Sequence, residues 1–392
     1  MENREAALLK NEFLLKKDST FLNFGSFGAC ARPVFERYQR YQLELEEEPV
    51  HFMMDKATGY LKKSREALAQ YINCAADDVV YVTNPSYGVN IIAKSFPLQP
   101  GDEVLTSNLE YGACDRAWDY YCKKKGATYR PWPIRLPLES KDDFINQLSA
   151  GIHPKTKLIF LSHITSATAL RFPIEEVCSL AKQKGIPVFI DGAHAPGQVP
   201  INLATLGADM YTGACHKWMM TPKGSSFLYV SKAWQHYFDP LLISWGYEAV
   251  AASASRFLDY HEMQGTRDLS AFLTIPDAIE FMQKNNWSLV SRYCRDMVKQ
   301  NAGRFCELLQ TKPLAPLTDD FIAQMLSLEI KTANAMELHD ILFRQYKIQV
   351  PIMQLGNRSF LRFSIQGFNT RQDLDKLYDA VKDLISKGLI IA

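Results

Sequence analysis

The chain has 392 residues, 47% hydrophobic and 22% charged, which is enough apolar surface to repay the entropy of ordering a backbone and excludes a disordered protein. Forty-four Lys and Arg against 43 Asp and Glu leave a net charge of +1; with no basic block to neutralise a run of phosphates, no nucleic acid is expected as a partner. The apolar runs fall far short of the roughly 20 residues that cross a bilayer, so no membrane is expected either.

The opening MENREAALLKNEFLLKKD alternates charged and apolar residues without a signal-peptide core, and a cytoplasmic location is the expectation. Eight cysteines, Cys30, Cys74, Cys114, Cys122, Cys178, Cys215, Cys294 and Cys306, form no CxxC pair and no spacing typical of zinc sites or disulfide frameworks. They read as buried thiols in a reducing compartment. No metal site is expected.

Residues 1–20 are expected to pack on a small domain. FLNFGSFG and the acidic helical stretch VFERYQRYQLELEEE follow. From about residue 60, helical periodicity (YLKKSREALAQYI) alternates with β-branched runs that end in turn residues: VVYVTN, DEVLTS, KLIFLS, IPVFIDG, MYTGAC and SSFLYVS. That rhythm predicts an α/β domain over residues 21–270, a mainly parallel mixed sheet covered by helices. After about residue 270 long amphipathic stretches lead to short strands at LSLEI and SFLRFSI and a last helix, DLDKLYDAVKDLISKG. This predicts a smaller α+β domain over residues 271–392.

Ligands of open parallel sheets sit beyond the carboxyl ends of the strands, and several such ends are polar here. TNPSYGVN after VVYV is either a loop-to-helix junction whose free N–H groups hold a phosphate or an ordinary helix start capped by Ser86. Asp191 ends the apolar run IPVFI, as a functional carboxylate or as a cap of the next turn. His216 and Lys217 lie between two strands with Trp218 behind them; a lysine is rarely buried without a task, though a snorkelling one remains the alternative.

Taken together, NPSYGVN, SNLEYGA, SHITSAT, FIDGAHAPG, GACHKW, PKGSSFLYV, QGTRD and LRFS, in that order, resemble the fold-type I pyridoxal-phosphate enzymes. The likeness is to the class V aminotransferase and cysteine desulfurase branch, nearest in wording to the isopenicillin N epimerase-like group. The resemblance implies that Lys217 forms a Schiff base with the cofactor and moves the proton on the substrate α-carbon, in its neutral form because burial disfavours the ammonium. It implies that Asp191 pairs with the pyridine nitrogen, that Asn84, Pro85, Ser86 and His216 hold the phosphate, and that Tyr111 stacks on the ring. Pro85 stands where relatives have a residue with an N–H, so one donor fewer is expected.

The same resemblance puts His194, and more weakly Ser166 with Thr165, at the cofactor's 3-hydroxyl. Ala169 replaces a family glycine and leaves that turn in doubt. Arg362 would clamp the substrate α-carboxylate with two parallel hydrogen bonds, with Asn23 and Gly25 beside it. Gly265 and Thr266 would reach the neighbouring subunit's site in a homodimer.

The chain has no cysteine after Cys306, which counts against a desulfurase that takes up sulfur on a small-domain thiol. Epimerisation at the α-carbon of an amino acid or amino-acid-derived peptide leads, with Tyr111 as the second proton group; class V transamination and C–S lysis follow. A fold that has lost catalysis would not be expected to keep Lys217, Asp191, His216 and Arg362 together. A nucleotide-binding domain lacks its GxxxxGK[ST] signature.

Overall fold

The computed structural model describes residues 9–391, so residues 1–8 of the expected N-terminal segment and Ala392, the end of the expected small domain, lie outside it. After the short β1 (Thr20–Phe21), seven strands make up the larger sheet: β2 (Val79–Val82), β3 (Glu103–Ser107), β4 (Thr128–Trp132), β5 (Thr156–Ser162), β6 (Val188–Gly192), β7 (Met210–Ala214) and β8 (Ser226–Val230). Four more follow: β9 (Met325–Ile330), β10 (Ile348–Gln349), β11 (Ile352–Leu355) and β12 (Arg358–Ser364).

The seven-stranded sheet has the order β2-β8-β7-β6-β5-β3-β4. All neighbouring pairs from β7 to β4 are parallel, whereas β8 pairs antiparallel with both β7 and β2. Apolar runs rather than alternating patterns form these strands because both faces are covered. Val80, Val82, Leu158, Phe160, Phe189 and Met210 enter one apolar cluster; Val79, Tyr81, Ile159, Leu161, Val188 and Ile190 enter the other. Successive residues of a strand therefore feed opposite layers, as the two-residue period requires.

A three-stranded antiparallel sheet, β11-β12-β9, forms the second unit, backed by the helices Trp287–Leu308 and Arg371–Ser386. Phe305 of the first meets Phe363 at a centroid distance of 5.4 Å. The chain before residue 28 is stitched to this unit. β1 pairs in parallel with β10, the Ser364 N–H donates to the Leu22 carbonyl at 2.8 Å, and the rings of Phe13 and Phe368 meet edge to face at 4.8 Å. No described helix is long and apolar enough to cross a membrane.

Candidate active site

Parallel register brings the carboxyl ends of β2, β3, β5, β6 and β7 to one edge of the sheet. Asp191, in β6, pairs with Ser162 of β5 on one side and Thr212 of β7 on the other. It is 3% exposed. Its Oδ1 accepts from the Ala193 N–H at 2.9 Å, and the Cys114 thiol donates to Oδ2 at 3.4 Å. Burial raises its pKa, while the Ala193 N–H, Lys217 and Cys114 pull it back down. One oxygen therefore has only a weak thiol donor, leaving capacity for a stronger one.

Beyond β7 the chain turns through Cys215–Ser225 before returning as β8. Here Lys217 points into the cavity, with its Nζ 3.3 Å from His194 Nε2. Burial, reinforced by the nearby Arg362 charge and opposed by Asp191, lowers the amine from 10.5 to about 8. His194 is buried too; desolvation first, then Lys217, Arg362 and His216, hold it well below the usual histidine range. His216 has Nδ1 2.8 Å from the Ser225 carbonyl. A carbonyl only accepts, so Nδ1 carries the proton. Burial lowers His216 to about 4 despite that bond. The neutral ring therefore turns an unprotonated Nε2 outward, and donating to an anion there requires the imidazolium, which the anion itself would favour.

The anion-binding candidates sit on the start of the helix Pro85–Ser95, directly after β2. Asn84, not Ser86, is the cap: its Oδ1 accepts from the Tyr87 N–H at 2.9 Å. Pro85 occupies the first helical turn, where an N–H has no intrahelical partner in any case, so the proline costs the helix nothing. The Ser86 hydroxyl remains available in the cavity wall.

Tyr111 precedes the helix Gly112–Lys124, is 48% exposed and lines the cavity. Its hydroxyl makes no hydrogen bond among the described residues. The residue before it was not singled out from sequence, yet Glu110 is 3% exposed and anchors the loop. It accepts from the Ser162 N–H at 2.8 Å, the Ser162 hydroxyl at 2.6 Å and the Ser107 hydroxyl at 2.5 Å. Burial pushes its carboxyl up to about 8 against these bonds. A glutamate between a strand end and an aromatic residue carries no pattern that reveals such pairing.

Arg362 comes from the small sheet. Along β12, Leu361 and Phe363 are buried in the core, while Arg362 and Ser364 turn the other way. Arg362 is 1% exposed. Nη1 donates to the Ser166 carbonyl at 2.6 Å and Nη2 to the Ser26 hydroxyl at 3.0 Å. Nε is buried with no partner among the described residues. Burial lowers the guanidinium to about 10. Ser26 in turn donates to Asn23 Oδ1 at 2.5 Å, and Gly25 N–H to the Ser364 hydroxyl at 3.1 Å. Ser26 is thus the residue that sequence reasoning passed over between Asn23 and Gly25 on one side and Phe27 on the other. Ser166, assigned to the cofactor's 3-hydroxyl from the resemblance, has its carbonyl on Arg362 and its hydroxyl 3.4 Å from the same Nη1.

Close approach explains Gly28. At φ +63 it lies so near the turn that a Cβ would stand 2.5 Å from the His216 carbonyl and 2.6 Å from that of Lys217; only glycine fits. Ala169 has φ +56. The turn is therefore kept without the glycine, in a left-handed conformation that costs a residue with a Cβ about 1 kcal/mol, with Thr165 bonding across it to the Leu170 N–H at 2.9 Å.

Ser26, Asn84, Pro85, Ser86, Tyr111, Ser166, Asp191, His194, His216 and Lys217 line one cavity of about 340 Å³, joined by Phe27, Ser162, Ile164 and Ala193. Gly265 and Thr266 do not line it; they are exposed, in a loop tied back by the Tyr87 hydroxyl donating to Gln264 at 3.1 Å. A larger groove of about 730 Å³ is lined by Asp102, His153, Lys157 and Lys184 and contains none of the expected site residues. The smaller cavity fits pyridoxal phosphate: a helix start for an anion, a carboxylate with free capacity for a pyridinium N–H and a poised amine, whereas Arg362, Asn23 and Gly25 do not line it and Arg362 stands behind Ser26 and Ser166.

The class-V aminotransferase family model matches residues 29–377. An isopenicillin N epimerase of Amycolatopsis lactamdurans is 30% identical over 378 residues, 93% of this chain and 95% of that protein. A putative L-cysteine desulfhydrase of Oryza sativa subsp. japonica is 27% identical, over 94% and 83%. A cysteine desulfurase from Thermococcus onnurineus NA1 superimposes with a TM-score of 0.83 at 19% identity, over 97% of this chain and 98% of that one, which shows the fold to be that of the fold-type I enzymes. The chain is thus an enzyme of the class-V aminotransferase family, whose cofactor is pyridoxal 5'-phosphate.

Proposed function

We propose that the protein acts at the α-carbon of an amino acid or amino-acid-derived peptide, with epimerisation as its reaction. The observation that carries this is the convergence on one cavity of the Lys217 amine, lowered to about 8, and Asp191, with the Arg362 guanidinium buried behind the lining residues Ser26 and Ser166. When bound, the cofactor supplies an electron sink for the pair left at the α-carbon. Asn84, Ser86 and His216 would hold its phosphate, Asp191 its ring nitrogen and His194 its 3-oxygen.

Arg362 orients the substrate by pairing its free edge with the α-carboxylate; Ser26 and Ser166 keep the guanidinium plane from turning. Lys217 Nζ takes the α-proton, and its depressed pKa leaves a useful neutral fraction near pH 7.5. Tyr111, whose hydroxyl has no partner, returns a proton or orients the water that does. Neither Cys114 nor Cys215 lines the cavity, and burial pushes both thiols up, which weighs against a thiol that carries sulfur. The desulfhydrase relative favours C–S lysis as the second reading.

Gly265 and Thr266 are exposed next to the apolar stretch Leu242, Ile243, Trp245 and Val250, of which Trp245 is 82% exposed. This supports a homodimer with those two residues turned to the partner site; light scattering that finds a monomer at assay concentration would remove that reading. Eight unpaired thiols favour a reducing, cytoplasmic compartment, and a stable disulfide in protein isolated from its source would argue otherwise.

Proton NMR of the holoenzyme in deuterated water with a panel of L-amino acids and short peptides tests the reaction. Deuterium at Cα with inversion and no keto acid is expected, and Tyr111→Phe should slow inversion while leaving cofactor binding intact. Pyruvate with sulfide would install the lyase reading, and a keto acid with an aminated cofactor the transaminase reading.

A further inference from the structure

His194 is a buried imidazole with a neighbour at each nitrogen. Trp218 Nε1 lies 3.4 Å from Nδ1, and Lys217 Nζ 3.3 Å from Nε2. Trp218 is fully buried, packs on Phe24 at a centroid distance of 5.1 Å, and has no other partner for its indole N–H among the described residues. An indole nitrogen only donates. The Trp218 N–H can be satisfied only if His194 Nδ1 presents a lone pair, and a neutral imidazole then carries its single proton on Nε2.

We propose that Trp218 is a positioning residue that fixes the tautomer of His194, so that an Nε2–H, and not a lone pair, faces Lys217 and the cofactor side of the cavity. Two consequences follow. In the cofactor-free protein the Nε2–H faces, among the described residues, Lys217 Nζ, which can accept it only when unprotonated; an ammonium would set N–H against N–H. In the loaded enzyme the same Nε2–H is a donor for the cofactor's 3-oxygen. His216, on the other side of Lys217, has the opposite tautomer because its Nδ1–H is taken by the Ser225 carbonyl. The two histidines that flank the lysine thus differ in which nitrogen can donate.

The role toward the cofactor rests on the function proposed above; the tautomer does not. It is read by NMR of full-length protein labelled with nitrogen-15 in histidine, cofactor-free and loaded, with His194 assigned by its disappearance in His194→Gln. A protonated Nε2 with an accepting Nδ1 is expected in both forms. An Nδ1–H in the cofactor-free protein overturns the proposal, and this reading needs no folded variant of Trp218.

Trp218→Phe keeps a six-membered aromatic ring and removes the pyrrole edge that carries the N–H. Its His194 should show a mixture of tautomers, and the pH midpoint for uptake of pyridoxal phosphate by the cofactor-free protein should rise by about 0.3 unit, the cost of halving the population of the Nε2–H form that supports the neutral amine. Arg362, Asp191 and Cys114 also face Lys217, and the substitution alters none of them. Unchanged nitrogen shifts and an unchanged midpoint in Trp218→Phe would overturn the tautomer lock even if catalysis fell. Failure to take up cofactor at any pH, with the Nε2–H tautomer present, would instead remove the functional reading and leave the lock standing.

Discussion

Asp191 and Lys217 stand at or just beyond the ends of neighbouring parallel strands, β6 and β7, whereas Arg362 comes from a separate antiparallel sheet and is held beside the cavity by Ser26 and Ser166. The floor is a product of sheet register: once β5, β6 and β7 pair, Ser162, Asp191 and Thr212 are in line whatever the rest of the chain does. The wall depends on docking, because segment 23–28 must lie between the small sheet and the Lys217 turn, close enough that Gly28 admits no Cβ. Floor residues should therefore be separable from stability, and wall residues should not.

Lys217→Ala gives the sharpest contrast. Loss of the proton-moving amine should cost activity by about 10²–10⁴-fold or more, while the melting temperature stays level or rises, since a buried amine is removed; a large fall in melting temperature would break the distinction. Arg362→Lys should lower kcat/KM by about ten- to a hundredfold, the loss of charged bidentate hydrogen bonds worth roughly 1.5–3 kcal/mol, mainly through KM. The melting temperature should fall with it, because an ammonium cannot span Ser26 and Ser166 together. Equal kcat/KM would take Arg362 out of substrate binding.

Glu110 sharpens the comparison from the floor side. Its carboxyl is raised from 4.5 to about 8, so between those values the folded chain holds more protons than the unfolded one, and stability falls as pH rises through that window. Relative to Glu110→Gln, which does not titrate, the parent should lose stability from about pH 5 to pH 8, by roughly 1.4 kcal/mol per pH unit within that window; parallel melting curves across that range would contradict the shift. Smallest is Ala169→Gly, which relieves the left-handed alanine in the wall and should gain up to about 1 kcal/mol, read as a rise of about 1–2 °C.

The difference between floor and wall is also the difference in what could be read from the chain. Asp191 and Lys217 were legible because each follows a short apolar run, and Asn84 because it opens a helix after one. Asn84 as the cap in place of Ser86 could be told only from which side chain meets the Tyr87 N–H. Glu110 and Ser26 left no signal, since a buried carboxylate or a bridging hydroxyl is defined by partners distant in sequence, Ser162 and Arg362. Ala169 shows the converse: the turn expected of a glycine survives without one because Thr165 bonds across it.

Sequence alone determined the α/β alternation, the order of the motifs and which residue types stand at each strand end, because apolar periodicity and turn chemistry are local properties. Tertiary structure alone decided that the small sheet delivers Arg362 to Ser26 and Ser166 beside the cavity, that Glu110 pins the Tyr111 loop, and which nitrogen each histidine turns toward Lys217. Those outcomes depend on burial and on hydrogen-bond partners far along the chain, and a buried polar group takes its charge and tautomer from the partners that satisfy it.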